Sequence, residues 1–164
     1  MKLLIAQGFG AGLAPAPGTF GSLVGLGWFA LLLSTHSWTL FALGNIAAFA
    51  FSVWLCGEGE KILQRKDPGS IVLDEIAAMP LCFIVWMLAA PPTPAPQPNP
   101  KFFWHHWPGA LVIFGLFRLF DVWKPWPVRQ SQQFPSGWGV TVDDTLAAAY
   151  VNLVMGAALL AFGG

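Results

Sequence analysis

Five carboxylates are the residues most able to do chemistry in this sequence: Asp74 beside Glu75, Asp121, and Asp143 beside Asp144. Each stands at or just inside the end of an apolar run, where a charge is costly and needs a partner or a task. The nearby cations are Arg118, Lys124 and Arg129, so five negative groups face three positive ones if the acidic sites meet in space. A divalent cation would cancel the excess. Hard carboxylate oxygens select Mg²⁺ or Ca²⁺, and Mg²⁺ commonly combines one or two carboxylates with a substrate phosphate. Local structure offers a competing account. Ser70 and Asp74 stand where an N-cap and a first-turn acid belong, Thr141-Val-Asp-Asp144 has the form of a capping box, and Arg118 can pair with Asp121 at i, i+3. Capping explains each site singly, but three acidic sites on one membrane face ask for more.

A second unusual stretch opens the chain: G-F-G-A-G from Gly8 to Gly12, then L-A-P-A-P-G-T-F-G-S from Leu13 to Ser22. Glycines such as Gly18 let backbone amides approach an anion, and Thr19 and Ser22 stand where a helix begins, at its positive dipole end. These residues could cradle a phosphate. The stretch lacks a Walker lysine and a preceding strand, and a loop entering a membrane would use the same glycines and prolines.

The elements that must position these groups follow from composition. The chain has 164 residues with Lys+Arg 8 against Asp+Glu 8, a balance that excludes a basic nucleic-acid binder. Charged residues make up 10% and apolar residues 55%, with a mean hydropathy of +0.61, against about 25% charged in soluble domains. Nine Trp and fourteen Phe suit rings placed at lipid headgroups. One domain and an all-α, integral membrane bundle of about five helices are expected. Apolar runs predict helices over 21–34, 37–57, 70–90, 108–122 and 145–162. The second, third and fifth would reach about 27 to 32 Å, enough for a hydrocarbon core of about 30 Å, whereas the first and fourth are short. Cys56 and Cys82 read as small core residues, without a disulfide or zinc spacing. Met1-Lys-Leu-Leu-Ile5 starts like a signal peptide but lacks its full apolar region and cleavage site, so it is expected to stay in the mature protein.

Five crossings with the N-terminus inside put Lys2, Lys61, Arg65, Lys66, Arg118, Lys124 and Arg129 on the cytoplasmic side and Lys101 alone outside, as the positive-inside rule requires. All the carboxylates fall inside with them. The proline-rich stretch Pro91–Pro100 reads as a stiff outer spacer. His36, His105 and His106 fall on the outer side, away from the acids, so neither a histidine metal ligand nor a Ser-His-Asp mechanism is expected.

Three blocks together resemble the phosphatidylglycerophosphatase A family: Gly8–Ser22; D-P-G-S-I-V-L-D-E at Asp67–Glu75; and F-R-L-F-D-V-W-K-P-W-P-V at Phe117–Val128 with G-W-G-V-T-V-D-D at Gly137–Asp144. The blocks cover about a third of the chain in the family's order. The resemblance implies a bacterial inner-membrane enzyme that removes the terminal phosphate of phosphatidylglycerophosphate, with a membrane phospholipid as its substrate and no obligate protein partner. It implies a Mg²⁺-dependent centre, both catalytic and metal-binding, at Asp74, Glu75, Asp121, Asp143 and Asp144. By the same carry-over Arg118 and Lys124 are phosphate clamps, with Gly18, Thr19 and Ser22 in support. Trp138, between the glycines of the last block, is a minor departure.

The chemistry expected is metal-assisted phosphomonoester hydrolysis, with one carboxylate orienting or deprotonating water. Carboxylate attack through an aspartyl-phosphate remains open, although the D-x-D pattern of haloacid-type phosphatases is absent. Two other classes compete. A transport or proton-relay subunit would place these acids near the midplane with outlets to both faces, and a membrane scaffold would leave them without a task.

Overall fold

Residues 1–89 and 97–162 are described in the computed structural model of the chain, and among them every regular element is a helix. One turn, α1 (Lys2–Ala6), leads through a 3-10 segment, Gly8–Leu13, into α2 (Pro17–Leu33) and α3 (Trp38–Leu63). Then α4 (Leu73–Ala78), a 3-10 segment at Met79–Phe83 and α5 (Ile84–Ala89) run on without a loop. After the proline-rich stretch come α6 (Pro100–His105), α7 (Trp107–Trp123), α8 (Val128–Ser131) and α9 (Gly137–Phe162).

The apolar runs mark the long helices correctly, but their polar ends were set too short. α2 starts at Pro17, where the missing N–H of a first-turn proline costs nothing. α3 continues six residues beyond 57, to Leu63, because Glu58, Glu60 and Lys61 are good helix formers. Lys2 and Lys61 both donate to Glu58, at 2.9 and 2.7 Å. α9 begins at Gly137, eight residues before the expected start, so the Thr141–Asp144 box caps nothing: both acids lie inside the helix. Ser70 is likewise not a cap, since Val72 precedes α4, although Asp74 and Glu75 do occupy its first turn.

The largest departure is the expected helix over 70–90, which is interrupted. Pro80 has no N–H to give to the carbonyl one turn back, and the backbone tightens to 3-10 around it. Asn152 of α9 satisfies groups freed at this break: its amide donates to the Leu81 carbonyl at 2.7 Å, and its oxygen accepts from the Val85 amide at 2.8 Å. A helix missing from the sequence reading, α6, starts at Pro100 with the Asn99 side chain accepting from the Lys101 amide at 2.9 Å. Most of the expected proline spacer, 91–96 of 91–100, lies outside the described residues.

α3 and α9 are each long and apolar enough to cross a membrane. Their 26 residues span about 39 Å. Outward-facing Leu40, Leu43, Ile46, Leu153 and Leu160 are exposed, a surface suited to lipid. The interior is aromatic: Phe29, Phe83 and Phe117 are fully buried, and the rings of Phe29 and Phe83 stack at 4.2 Å. Cys56 and Cys82 are buried free thiols, as expected.

Close helix approach brings the polar ends together. A Cβ on Gly137 would overlap the Val53 carbonyl and the Gly57 amide, so the start of α9 lies directly on the end of α3. Ser52 and Thr141 hydrogen-bond across the same seam at 3.1 Å.

Candidate active site

The starts of α2, α4 and α9 meet the ends of α3 and α7 at one end of the bundle, and the five acids arrive with them. Asp74 and Glu75 come from α4, Asp121 from the last turns of α7, and Asp143 and Asp144 from the second turn of α9. Each interacts electrostatically with several of the others: Asp144 with Asp121, Asp74, Asp143 and Glu75, and Asp74 with Glu75 and Asp143. Acids from distant parts of the sequence therefore share one site. Asp74, Asp143 and Asp144 are only 6%, 3% and 3% exposed.

Two cations partly balance this charge. Arg118 Nη1 donates to Glu75 Oε1 at 3.1 Å and to Asp121 Oδ2 at 2.7 Å, bridging α7 to α4. Lys124, which ends α7 in the left-handed region at φ 49°, donates to Asp143 Oδ2 at 2.6 Å. Burial works against its ammonium, but the Asp143 charge and hydrogen bond outweigh that, with Asp67 and Asp121 adding, so its pKa lies above that of a free lysine. The i, i+3 pairing of Arg118 with Asp121 is thus real, but it is half of a bridge that also reaches Glu75.

Asp74 and Asp144 have no ion-pair partner among the described residues. Asp74 Oδ1 accepts only from the adjacent Glu75 amide, at 3.1 Å. Asp144 Oδ2 and Glu75 Oε2 are buried without any hydrogen-bond partner. An unpaired buried carboxylate costs several kcal/mol, roughly, unless it is neutralised or meets a cation. Orphaned carboxylate oxygens are a hard, anionic donor set, which fits Mg²⁺ by chemistry. Among the described residues no three acidic, His or Cys side chains stand close enough together to hold a metal ion as they are placed.

The glycine-rich start divides into two parts. The amides of Gly10 and Gly12 both donate to the Gln7 carbonyl, at 3.2 and 2.9 Å, and Ala14 donates to Ala11, so this part is committed to its own turn. Gly18 is different. A Cβ there would overlap both the Arg118 guanidinium and the Glu75 carboxylate, which places the first turn of α2 directly on that pair. Thr19 follows it, half-buried, while the buried Ser22 hydroxyl donates back to the Gly18 carbonyl at 2.8 Å.

Asp67 was missed as a member of the site. It lies 3.9 Å from Lys124 Nζ, and its carboxylate accepts from Gln132 Nε2 at 2.9 Å. Its place at the head of the D-P-G-S block was the available signal. Arg129, counted among the nearby cations, instead lines a shallow polar hollow with Lys66, Asp67, Gln132 and Gln133. His105 and His106 bond to backbone carbonyls within α6, at 2.8 and 2.9 Å, and take no part.

Residues 4–159 match the sequence profile of Phosphatidylglycerophosphatase A. The chain is 38% identical to Phosphatidylglycerophosphatase A of Haemophilus influenzae over 93% of its length and 85% of the relative's. It is 35% identical to Phosphatidylglycerophosphatase A of Escherichia coli over 98% of its length and 82% of the relative's. A Bacteroides thetaiotaomicron protein, provisionally named a phosphatidylinositol-3-phosphatase, is 33% identical over 99% of this chain and 96% of its own. No solved structure matches the chain.

Proposed function

The chain belongs to the phosphatidylglycerophosphatase A family and is a phosphoric monoester hydrolase, and from that premise we propose that it hydrolyses the terminal phosphomonoester of phosphatidylglycerophosphate to phosphatidylglycerol and phosphate. The observation that carries this reading is the pairing, at one end of the bundle, of unpartnered buried acids with two cations held by neighbouring acids.

The phosphomonoester arrives as an anion, and Arg118 and Lys124 are the groups that receive it. Each already points into the cluster on a carboxylate, so substrate oxygens replace Glu75 and Asp121 on Arg118, or Asp143 on Lys124, at little cost in side-chain ordering. Gly18 keeps the space beside Arg118 clear, and the Gly18 and Thr19 amides at the start of α2 add dipole stabilisation. A carboxylate freed in this exchange is placed to orient or deprotonate the attacking water. Asp74, Asp144 and Glu75, with Asp121 and Asp143 beside them, are the residues that would hold Mg²⁺. When bound, the ion supplies Lewis-acid polarisation of the phosphoryl group.

The basic side chains at the polar end support a multi-pass orientation in the bacterial inner membrane with this site facing the cytoplasm. Clustering of the acids at one end of the bundle, rather than midway along it, disfavours the transport reading. The test is phosphate release from phosphatidylglycerophosphate in detergent, first with Mg²⁺ and then with EDTA. Turnover that EDTA abolishes and added Mg²⁺ restores is expected; no release under either condition would overturn the assignment.

A further inference from the structure

Beside the acidic site, on the other face of α4, lies an apolar groove of about 900 Å³ between α2, α3 and α4, closed at one end by Ile5, Gly8 and Phe9 of the N-terminal segment. Its size falls within the range of roughly 300–1,000 Å³ seen for small-molecule sites. α4 is the shared wall. Asp74 and Glu75 turn to the acids, whereas Leu73, Ile76 and Ala77, spaced i, i+3, i+4, line the groove. α2 is shared in the same way: Gly18 and Gly21 abut the Glu75 carboxylate, and from one turn further along Val24, Gly27 and Leu31 line the groove. Gly44 and Ala48 of α3 face them, and small residues on both helices hold the gap open. A Cβ on Gly27 would meet nothing within 4 Å.

We infer that this groove seats an acyl chain of the lipid substrate and so aligns its headgroup with Arg118 and Lys124; the inference rests on the lipid-phosphatase reading above. Three features favour an acyl chain. The lining is almost wholly apolar, the groove starts within a turn of the Glu75–Arg118 pair, and it runs along α2 away from the polar end. A headgroup at the acids therefore leaves its tail over the groove. Lipid tails are as apolar as the groove, so the gain is alignment of the phosphate rather than transfer from water.

The experiment fills the groove from either wall, with Gly27→Trp and separately Ala48→Trp. Turnover of dioleoyl phosphatidylglycerophosphate and of its dihexanoyl analogue is measured in detergent. Both variants are expected to lose about tenfold or more in kcat/KM on the long-chain lipid, the scale of a misaligned reactant, and to keep wild-type turnover of the short-chain analogue. Retained short-chain activity shows that the variants fold. Equal loss on both substrates, the result if the groove seats a second copy of this chain, overturns the inference, as does unchanged long-chain turnover. A wild-type enzyme inactive on both substrates would instead defeat the lipid-phosphatase reading.

Discussion

Asp144 and Lys124 show how two charged groups of one cluster meet different surroundings. Lys124 is held by Asp143 at 2.6 Å, while Asp144 has a buried oxygen with no partner. Asp144→Asn keeps the shape and removes the charge. It is expected to cut phosphate release by on the order of 100-fold or more while leaving expression intact, and unchanged turnover would remove Asp144 from the metal-binding set. Lys124→Ala should lower kcat/KM by on the order of 100-fold, against little change for Lys101→Ala on α6. Equal effects of the two would count against the clamp. The residue types were legible in the sequence because carboxylates beside apolar runs are expensive. Their division into paired and unpaired groups was not, because it depends on Arg118 reaching α4 and Lys124 reaching α9, contacts across 43 and 19 positions of sequence.

The interrupted segment from Leu73 to Ala89 shows what a hydropathy pattern conceals. Its apolar residues run on continuously, so a single crossing was expected; Pro80 was the available warning, since a proline inside a helix frees backbone groups one turn away. The side chain that satisfies such groups, Asn152, lies 67 positions from Val85 and had no local signal. Asn152→Leu would take their partner from the half-buried Leu81 carbonyl and Val85 amide, at up to about 1–3 kcal/mol for each group left unsatisfied. The variant is expected to unfold at a lower temperature in detergent, and an unchanged Tm would show that the break holds itself together. The polar ends of α3 and α9 were cut short for a related reason. Charged residues look like loops in a hydropathy scan, yet Glu58 to Lys61 and Asp143–Asp144 are helical, the latter held where Gly137 lets α9 lie on α3.

An apolar exterior, an aromatic interior and one polar end give the bundle three distinct environments. Periodicity and charge-free runs indicated the helical architecture, and the three sequence blocks indicated which residues converge. Neither could supply the groove, which depends on the spacing of α2 from α3. The unpartnered acids at the polar end are expected to hold a divalent cation between them. Calorimetric titration of Mg²⁺ into detergent-solubilised wild type and into Asp74→Asn measures this. Saturable binding in the wild type that is lost or greatly weakened in the variant is expected; identical binding curves for the two proteins would contradict it.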